Sequence, residues 1–201
     1  MSLDAAFAAF PEIETPRLRL REPRPEDAAA LFAVFSDEEV VRYYGVLPHR
    51  SLAESAELIR RHGEWYAAQR AIRWAITRRG EDVFLGSCGF HRFDRESRRA
   101  ELGYEVGRAH WRQGIASEAV GALLAFGFEQ MGLHRIEAAV DGDNEPSKRL
   151  LLKLGFTYEG RLRQRFWFNG RYWDEHYFGL LREDYDRLRA TKRPGDTPGA
   201  S

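Results

Sequence analysis

The stretch Glu101–Glu118, ELGYEVGRAHWRQGIASE, reads as a strand that passes through a glycine turn into the start of a helix. Leu102, Tyr104 and Val106 alternate with Glu101, Gly103 and Glu105, the period of a strand, and Gly107 and Gly114 bracket a turn rich in arginine and amide donors. From Ser117 the pattern EAVGALLAFGFEQM is apolar on nearly every side. It predicts a helix buried against a sheet, with its first N–H groups aimed back at the turn. Amides at such a terminus, with the helix dipole behind them, favour phosphate or pyrophosphate. Gly114 is not followed by Lys and Ser or Thr, and Gly107 with Gly114 do not make GxGxxG, so the common nucleotide loops are absent. The plain alternative is an ordinary strand, turn and helix with a capping serine.

Outward from this centre, Met1–Phe10 carries little pattern, and residues 1–11 read as an N-terminal extension to a domain spanning 12–189. IETPRLRLREP is a first strand, with Leu18 and Leu20 on one face and Arg17, Arg19 and Arg21 on a face expected to be solvated. Pro25, Glu26 and Asp27 open a helix, EEVVRYYGVLPHRS reads as a loop, and Ser51 with Glu54 predicts a capping box. The helix that follows runs to about Arg70, with a buried stripe of Leu58, Ile59, His62, Trp65 and Tyr66. RWAITRR, VFLGSCGFHRF and RRAELGYEV form an antiparallel meander, and HRIEAAVDGD a further strand. Asn144 caps a short helix that Gly155 ends, and two final strands meet at an Asn169-Gly170 turn. Residues 190–201 are expected to be a disordered tail.

At 201 residues the chain suits one domain with a sizeable core. Basic and acidic residues balance at 31 each, so no overall field gathers nucleic acid or an anionic membrane, and neither is expected as a partner. Cys88 is the only cysteine; it excludes an internal disulfide, reads as a small core residue and fits a reducing cytoplasm. The longest apolar run is well short of the ~18 residues that read as a membrane span.

The order Trp111, Arg112, Gln113, Gly114, Ile115, Ala116 resembles the pyrophosphate loop of the GNAT acetyltransferase superfamily, Gln/Arg-x-x-Gly-x-Gly/Ala. Trp111 departs at the first position in the manner of the branch that resembles the RimJ and RimL ribosomal-protein N-acetyltransferases, and Glu118 and Ala119 match that branch. NEPSKRLLLKLGFTYEGRLR resembles its Asn-x-x-Ser, Gly-Phe and Glu-Gly segment. The resemblance, from about Thr15 to Leu188, implies an α+β fold: a mixed central sheet of six to seven strands, splayed at the cofactor site and flanked by about four helices. It also implies acetyl-CoA as co-substrate, without a metal. The pyrophosphate would rest on Arg112, Gln113, Gly114, Ile115, Ala116 and Ser117. A bulge would splay the strand so that Tyr104, Glu105 and Val106 line the pantetheine edge, with the Val106 amide polarising the thioester carbonyl. Asn144 would reach the pantetheine amides, and Ser147 would protonate the leaving thiolate; both also suit plain helix capping.

Amine attack needs a proton acceptor. Glu101 matches a common acidic position of the branch and shares a strand face with Glu105; His91, His134, Asp174 and His176 are further candidates that read equally as ordinary surface residues. Phe166 stands roughly where some ribosomal-protein acetyltransferases have a catalytic glutamate. Tyr43, Tyr44, Trp167, Tyr172 and Trp173 would wall the acceptor, and Glu101, Glu105, Asp174 and Glu175 supply negative charge, which favours a cationic amine. The acceptor is then a protein or peptide N-terminal α-amine or a small amine such as a polyamine, amino acid or aminoglycoside, taken by a monomer or homodimer. Two readings of other classes are a catalytically silent acetyl-CoA-binding domain and a single-strand nucleic-acid binder using RLRQRFWFNGRYW.

Overall fold

In the computed structural model, which describes residues 3–192, the alternating middle of the chain forms the predicted meander. In chain order the elements are β1 (Ile13–Glu14), β2 (Leu18–Arg21), α1 (Ala28–Phe35), α2 (Glu38–Val41), α3 (Leu52–Ala67), β3 (Ala71–Arg78), β4 (Phe84–Asp94) and β5 (Arg99–Val106). They continue as α4 (Ile115–Ala125), β6 (Arg135–Asp141), α5 (Glu145–Lys153), β7 (Thr157–Phe168), β8 (Arg171–Leu181) and α6 (Arg182–Lys192). The strands make one sheet in the order β1-β2-β3-β4-β5-β6-β8-β7, and only the β5–β6 neighbours run parallel. Eight strands and six helices exceed the expected six to seven and four. The two-residue β1, α2 inside the expected loop, and α6 account for most of the excess.

Register sorts the side chains onto two faces. Trp74, Cys88 and Tyr104 are cross-strand partners, as are Ile72, Phe90 and Leu102, and all belong to the larger core, which α4 closes with Ile115, Val120 and Leu123. Trp74 is fully buried and donates from Nε1 to the Pro11 carbonyl at 2.6 Å, tying the N-terminal segment to the sheet. Burial of a side chain this large is worth about 3–5 kcal/mol over alanine. α4 is buried as its apolar pattern requires, and continues as a π turn over Phe126–Gln130. On the opposite face α1 and α3 cover Ala75 with Leu31, Phe35 and Ile59.

Several local readings are corrected. Arg21 is not solvated: it is 1% exposed, pairing with buried Asp27 at 2.8 Å and with Asp82. Ser51 Oγ donates to Glu54, whose other oxygen accepts from the Arg50 amide, so the reciprocal capping box does not form. α3 stops at Ala67, and of its predicted stripe only Ile59 is buried; Leu58, His62 and Trp65 instead face a cleft. α6 carries the chain to Lys192, past the expected boundary at 189, and the rest of the expected tail, 193–201, lies outside the described residues. Asn169 (φ 49°) and Gly170 (φ 80°) make the hairpin turn, both left-handed as a type I′ turn demands. No described helix is long and apolar enough to cross a membrane.

Candidate active site

The parallel β5–β6 ladder covers only Arg99, Ala100 and Glu101, paired with Arg135, Ile136 and Glu137, and then opens. Beyond Glu101 the side of β5 away from β4 is a free edge. The expected bulge is not what opens it: β4–β5 pairing is regular from Gly86↔Val106 to His91↔Glu101, and the irregularity lies between His91 and Asp94. Gly107 donates to Leu85 on β4 at 2.8 Å, and antiparallel alternation then turns the Glu105 backbone toward β4 as well. Tyr104 and Val106 therefore present their amides to the free edge and Glu105 does not, which corrects its assignment to the pantetheine edge. The Val106 carbonyl is taken by Trp111 Nε1 at 2.6 Å.

The turn after β5 ends at Gly114, left-handed at φ 77°, which serves as the N-cap of α4. Glu118 N–H is the first amide answered within the helix, by the Gly114 carbonyl at 3.0 Å, so those of Ile115, Ala116 and Ser117 are free at the terminus. Arg112 is also left-handed (φ 59°), and among the described residues no hydrogen bond or ion pair holds its side chain. Gln113 is spent on the turn itself: Nε2 donates to Ala109 O and Oε1 accepts from Arg78, each at 3.0 Å. Arg17 braces the same turn. It donates to Gln113 O at 3.0 Å and to Glu118 Oε2 at 2.5 Å, while Glu118 Oε1 accepts from Thr15 Oγ1 and the Arg17 amide. Arg17 was legible only as one of three strand arginines, since its partner lies 101 residues away.

Across the free edge, Asn144 Oδ1 caps α5 by accepting from the Ser147 amide at 3.2 Å, leaving its side-chain N–H donors for a ligand. Ser147 Oγ lies 2.7 Å from Tyr104 Oη, and burial pushes the Tyr104 phenol up to about 12 despite that hydrogen bond. Free helix amides behind a left-handed, Cβ-less Gly114 and an unpaired strand edge fit a pyrophosphate followed by an extended amide-bearing arm, which is the shape of acetyl-CoA.

On the α1–α3 face lies a cleft of about 700 Å³, lined by Phe35, Tyr44, Leu58, Trp65, Arg73 and His91 among others. Arg73 runs along its floor over Gly89 and Gly103: a Cβ on Gly89 would stand 3.1 Å from Arg73 Cδ, and one on Gly103 3.3 Å from Nη1. The guanidinium reaches Glu105 and donates to Ser87 Oγ at 2.7 Å. Glu105, 6% exposed, also accepts from Ser87 and from Tyr44 at 2.7 Å. Burial works against the Arg73 charge, but Glu105 and Tyr44 outweigh it and raise its pKa. Three donors, from Arg73, Ser87 and Tyr44, thus occupy the Glu105 carboxylate. Tyr44 is 36% exposed, with its hydroxyl turned inward to Glu105.

Glu101 is held differently, by His91 Nε2 at 3.2 Å and Arg92 at 2.8 Å. Burial alone would raise its pKa; the hydrogen bonds and charges of His91 and Arg92 outweigh that and lower it. His62, in the cleft wall, has a buried Nδ1 without a partner among the described residues, and burial with the nearby Arg73 and Arg61 pushes its pKa down to about 3. Of the expected acceptor wall, Tyr44 lines the cleft and Tyr43 sits beneath Arg42. Trp167 and Tyr172 are exposed and packed on each other, and Trp173 is covered by Arg171; none lines the cleft, and the hairpin meets the Tyr44 loop instead through Phe166, 3.8 Å from a Cβ placed on Gly45. Asp174 pairs with Arg161, and Glu175 lies 3.8 Å from Arg165, so these two hairpin arginines face carboxylates. Cys88 is buried and its thiol pKa raised by burial, so it is no nucleophile. No group of side chains suited to a metal occurs among the described residues.

This arrangement agrees with comparison to known proteins. An acetyltransferase (GNAT) domain model matches residues 17–157. The chain is 44% identical over 173 residues to the Bacillus subtilis (strain 168) uncharacterized N-acetyltransferase YoaA, covering 86% of this chain and 98% of that one. It is 26% identical over 180 residues to the spermidine N(1)-acetyltransferase of Escherichia coli (strain K12), covering 90% and 93%. A GNAT-family acetyltransferase structure from Bacillus anthracis superposes with a TM-score of 0.77 at 27% identity, over 86% of this chain and 99% of that one. The chain belongs to the GNAT acetyltransferase family and is an acetyl-CoA-dependent N-acetyltransferase.

Proposed function

We propose that the enzyme acetylates the α-amine at the N-terminus of a protein or peptide, received in the cleft on the α1–α3 face. The observation that carries this reading is the neutralisation of the acidic wall. Glu101, Glu105 and Asp174 each answer an arginine, and of the two carboxylates that line the cleft Glu57 pairs with Arg60 and Glu54 accepts from Ser51 and the Arg50 amide, so the cleft offers little uncommitted negative charge to a polycation. Its walls are instead aromatic and aliphatic, through Phe35, Leu58 and Trp65, which suits one amine on an extended chain. Acetyl-CoA would lie on the other side of the free edge, with Arg112, Gly114, Ile115, Ala116 and Ser117 at its pyrophosphate, Tyr104 and Val106 along its arm, Asn144 at its amides and Ser147 at its thiol end. It supplies the activated acetyl group. Glu101 belongs to the proton-removing side and Ser147 to the side where the thiolate leaves.

A small amine is the competing acceptor, favoured by the spermidine enzyme among the relatives. A screen of N-terminal peptides and polyamines with acetyl-CoA, following thiol release, separates the two. Higher kcat/KM on peptides supports the α-amine; higher kcat/KM on spermidine overturns it. Acetyl-CoA binding without amine-dependent thiol release from any acceptor would point to a silent binding domain.

A further inference from the structure

We infer that His91 is the general base and that Glu101 is the positioning residue behind it. This rests on the reading that the amine arrives in the α1–α3 cleft. His91 and Glu101 are directly opposed partners on β4 and β5, so their side chains share the cleft face. The imidazole lines the cleft and is 39% exposed, whereas Glu101 is 13% exposed and lies behind it. Nε2 faces Glu101 Oε1 at 3.2 Å. The other edge of the ring stands over Gly103: a Cβ placed there would lie 3.6 Å from Cε1 and 4.0 Å from Nδ1. Glycine at 103 leaves room at that edge, which the ring shares with Arg73 Nη1, 3.3 Å from the same Cβ position, and no described residue hydrogen-bonds Nδ1.

An ionised carboxylate only accepts, so Glu101 selects the tautomer with the proton on Nε2 and leaves the Nδ1 lone pair toward the cleft. Glu101 itself is a poor base here: both of its oxygens are engaged and its pKa is lowered. The charged and titratable groups around the pair are Arg73 on β3, Arg92 on β4, Glu105 on β5, Glu137 opposite Glu101 on β6, Glu54, Glu57, Arg61 and His62 on α3, and Glu175 with Tyr177 on β8. In the step, the amine lone pair bonds the acetyl carbon and the carbon–sulfur bond breaks with its electrons leaving on sulfur. The proton shed by nitrogen goes to Nδ1, is balanced there by Glu101 through Nε2, and then passes to water.

Two measurements test this. Long-range proton–nitrogen NMR of the full chain, with His91→Asn identifying the signal, should find the neutral form of His91 carrying its proton on Nε2, and Glu101→Gln should weaken that preference. A neutral His91 that carries its proton on Nδ1 in the wild type would overturn the inference, and this readout needs no acceptor. Amine-dependent thiol release, probed with an alanine-initiated peptide and with spermidine, should fall at least about 100-fold in kcat for His91→Asn, the range expected for a lost general base. KM for acetyl-CoA should stay unchanged, the acidic limb of the pH profile should vanish, and added imidazole should restore turnover in His91→Ala. Glu101→Gln should lose turnover while keeping an acidic limb. Wild-type kcat in His91→Asn would overturn the assignment. Failure of the wild type on both probes would count against the acceptor reading alone, leaving the NMR result to decide the pair.

Discussion

Tyr104 Oη and Ser147 Oγ lie 2.7 Å apart, joining the free edge of β5 to the first turn of α5. His91 on β4 and Glu101 on β5 sit on the cleft face of the sheet and this pair sits on the other, so under the proposed mechanism proton uptake and proton delivery fall on opposite sides of it. A thiolate leaves with little help, so Ser147→Ala and Tyr104→Phe should each lower kcat about tenfold, below the 10²–10⁴ of a full acid or base. Because the two hydroxyls form one unit, the double variant should be no slower than the worse single one. Strictly additive losses in steady-state kinetics would show that they act independently.

Gly114→Val should weaken acetyl-CoA binding at least tenfold by calorimetry, on the order of 1.4 kcal/mol or more. A β-branched residue at φ 77° is strained by about 1–3 kcal/mol, and its Cβ would stand 3.2 Å from the Arg17 guanidinium that braces the turn. That strain is small against the stability of a domain, so the variant should still unfold cooperatively. Unchanged affinity would remove the turn from the donor site.

Glu118 links β2 to α4 by accepting from Thr15 and Arg17, so Glu118→Gln should lower unfolding free energy at pH 7 by about 1–3 kcal/mol. Burial would raise the Glu118 pKa, but these hydrogen bonds outweigh it and lower it below the ordinary 4.5. A carboxyl with a lowered folded pKa stabilises above its unfolded value and loses that contribution as pH falls through the folded one. Urea curves of wild type and variant should therefore differ most above pH 4.5 and converge below it. A constant gap down to acid pH would show that the carboxylate charge contributes nothing.

Pattern alone was enough for the meander, the buried helix after Gly114, the Asn144 cap and the Asn169-Gly170 turn, because periodicity, capping and left-handed turns are set by residues close in the chain. The free helix terminus was legible for the same reason. What the sequence could not settle are the relationships made by long-range register. Nothing in the strand pattern RWAITRR marked Arg73, yet Gly89 and Gly103 on the neighbouring strands leave it a path to the buried Glu105. Arg21 alternates like its neighbours but meets Asp27 and Asp82 only once β2 and the turns around it are packed. His91 looked ordinary until pairing set it opposite Glu101. The aromatic hairpin looked like a binding wall, but the fold turns Trp167 and Tyr172 to solvent and brings Phe166 to the acceptor loop. Local sequence thus determined the glycine turn and the free helix amides behind it, and only tertiary structure decided which charges near it are free, because a charge is neutralised by neighbours in space and not by neighbours in the chain.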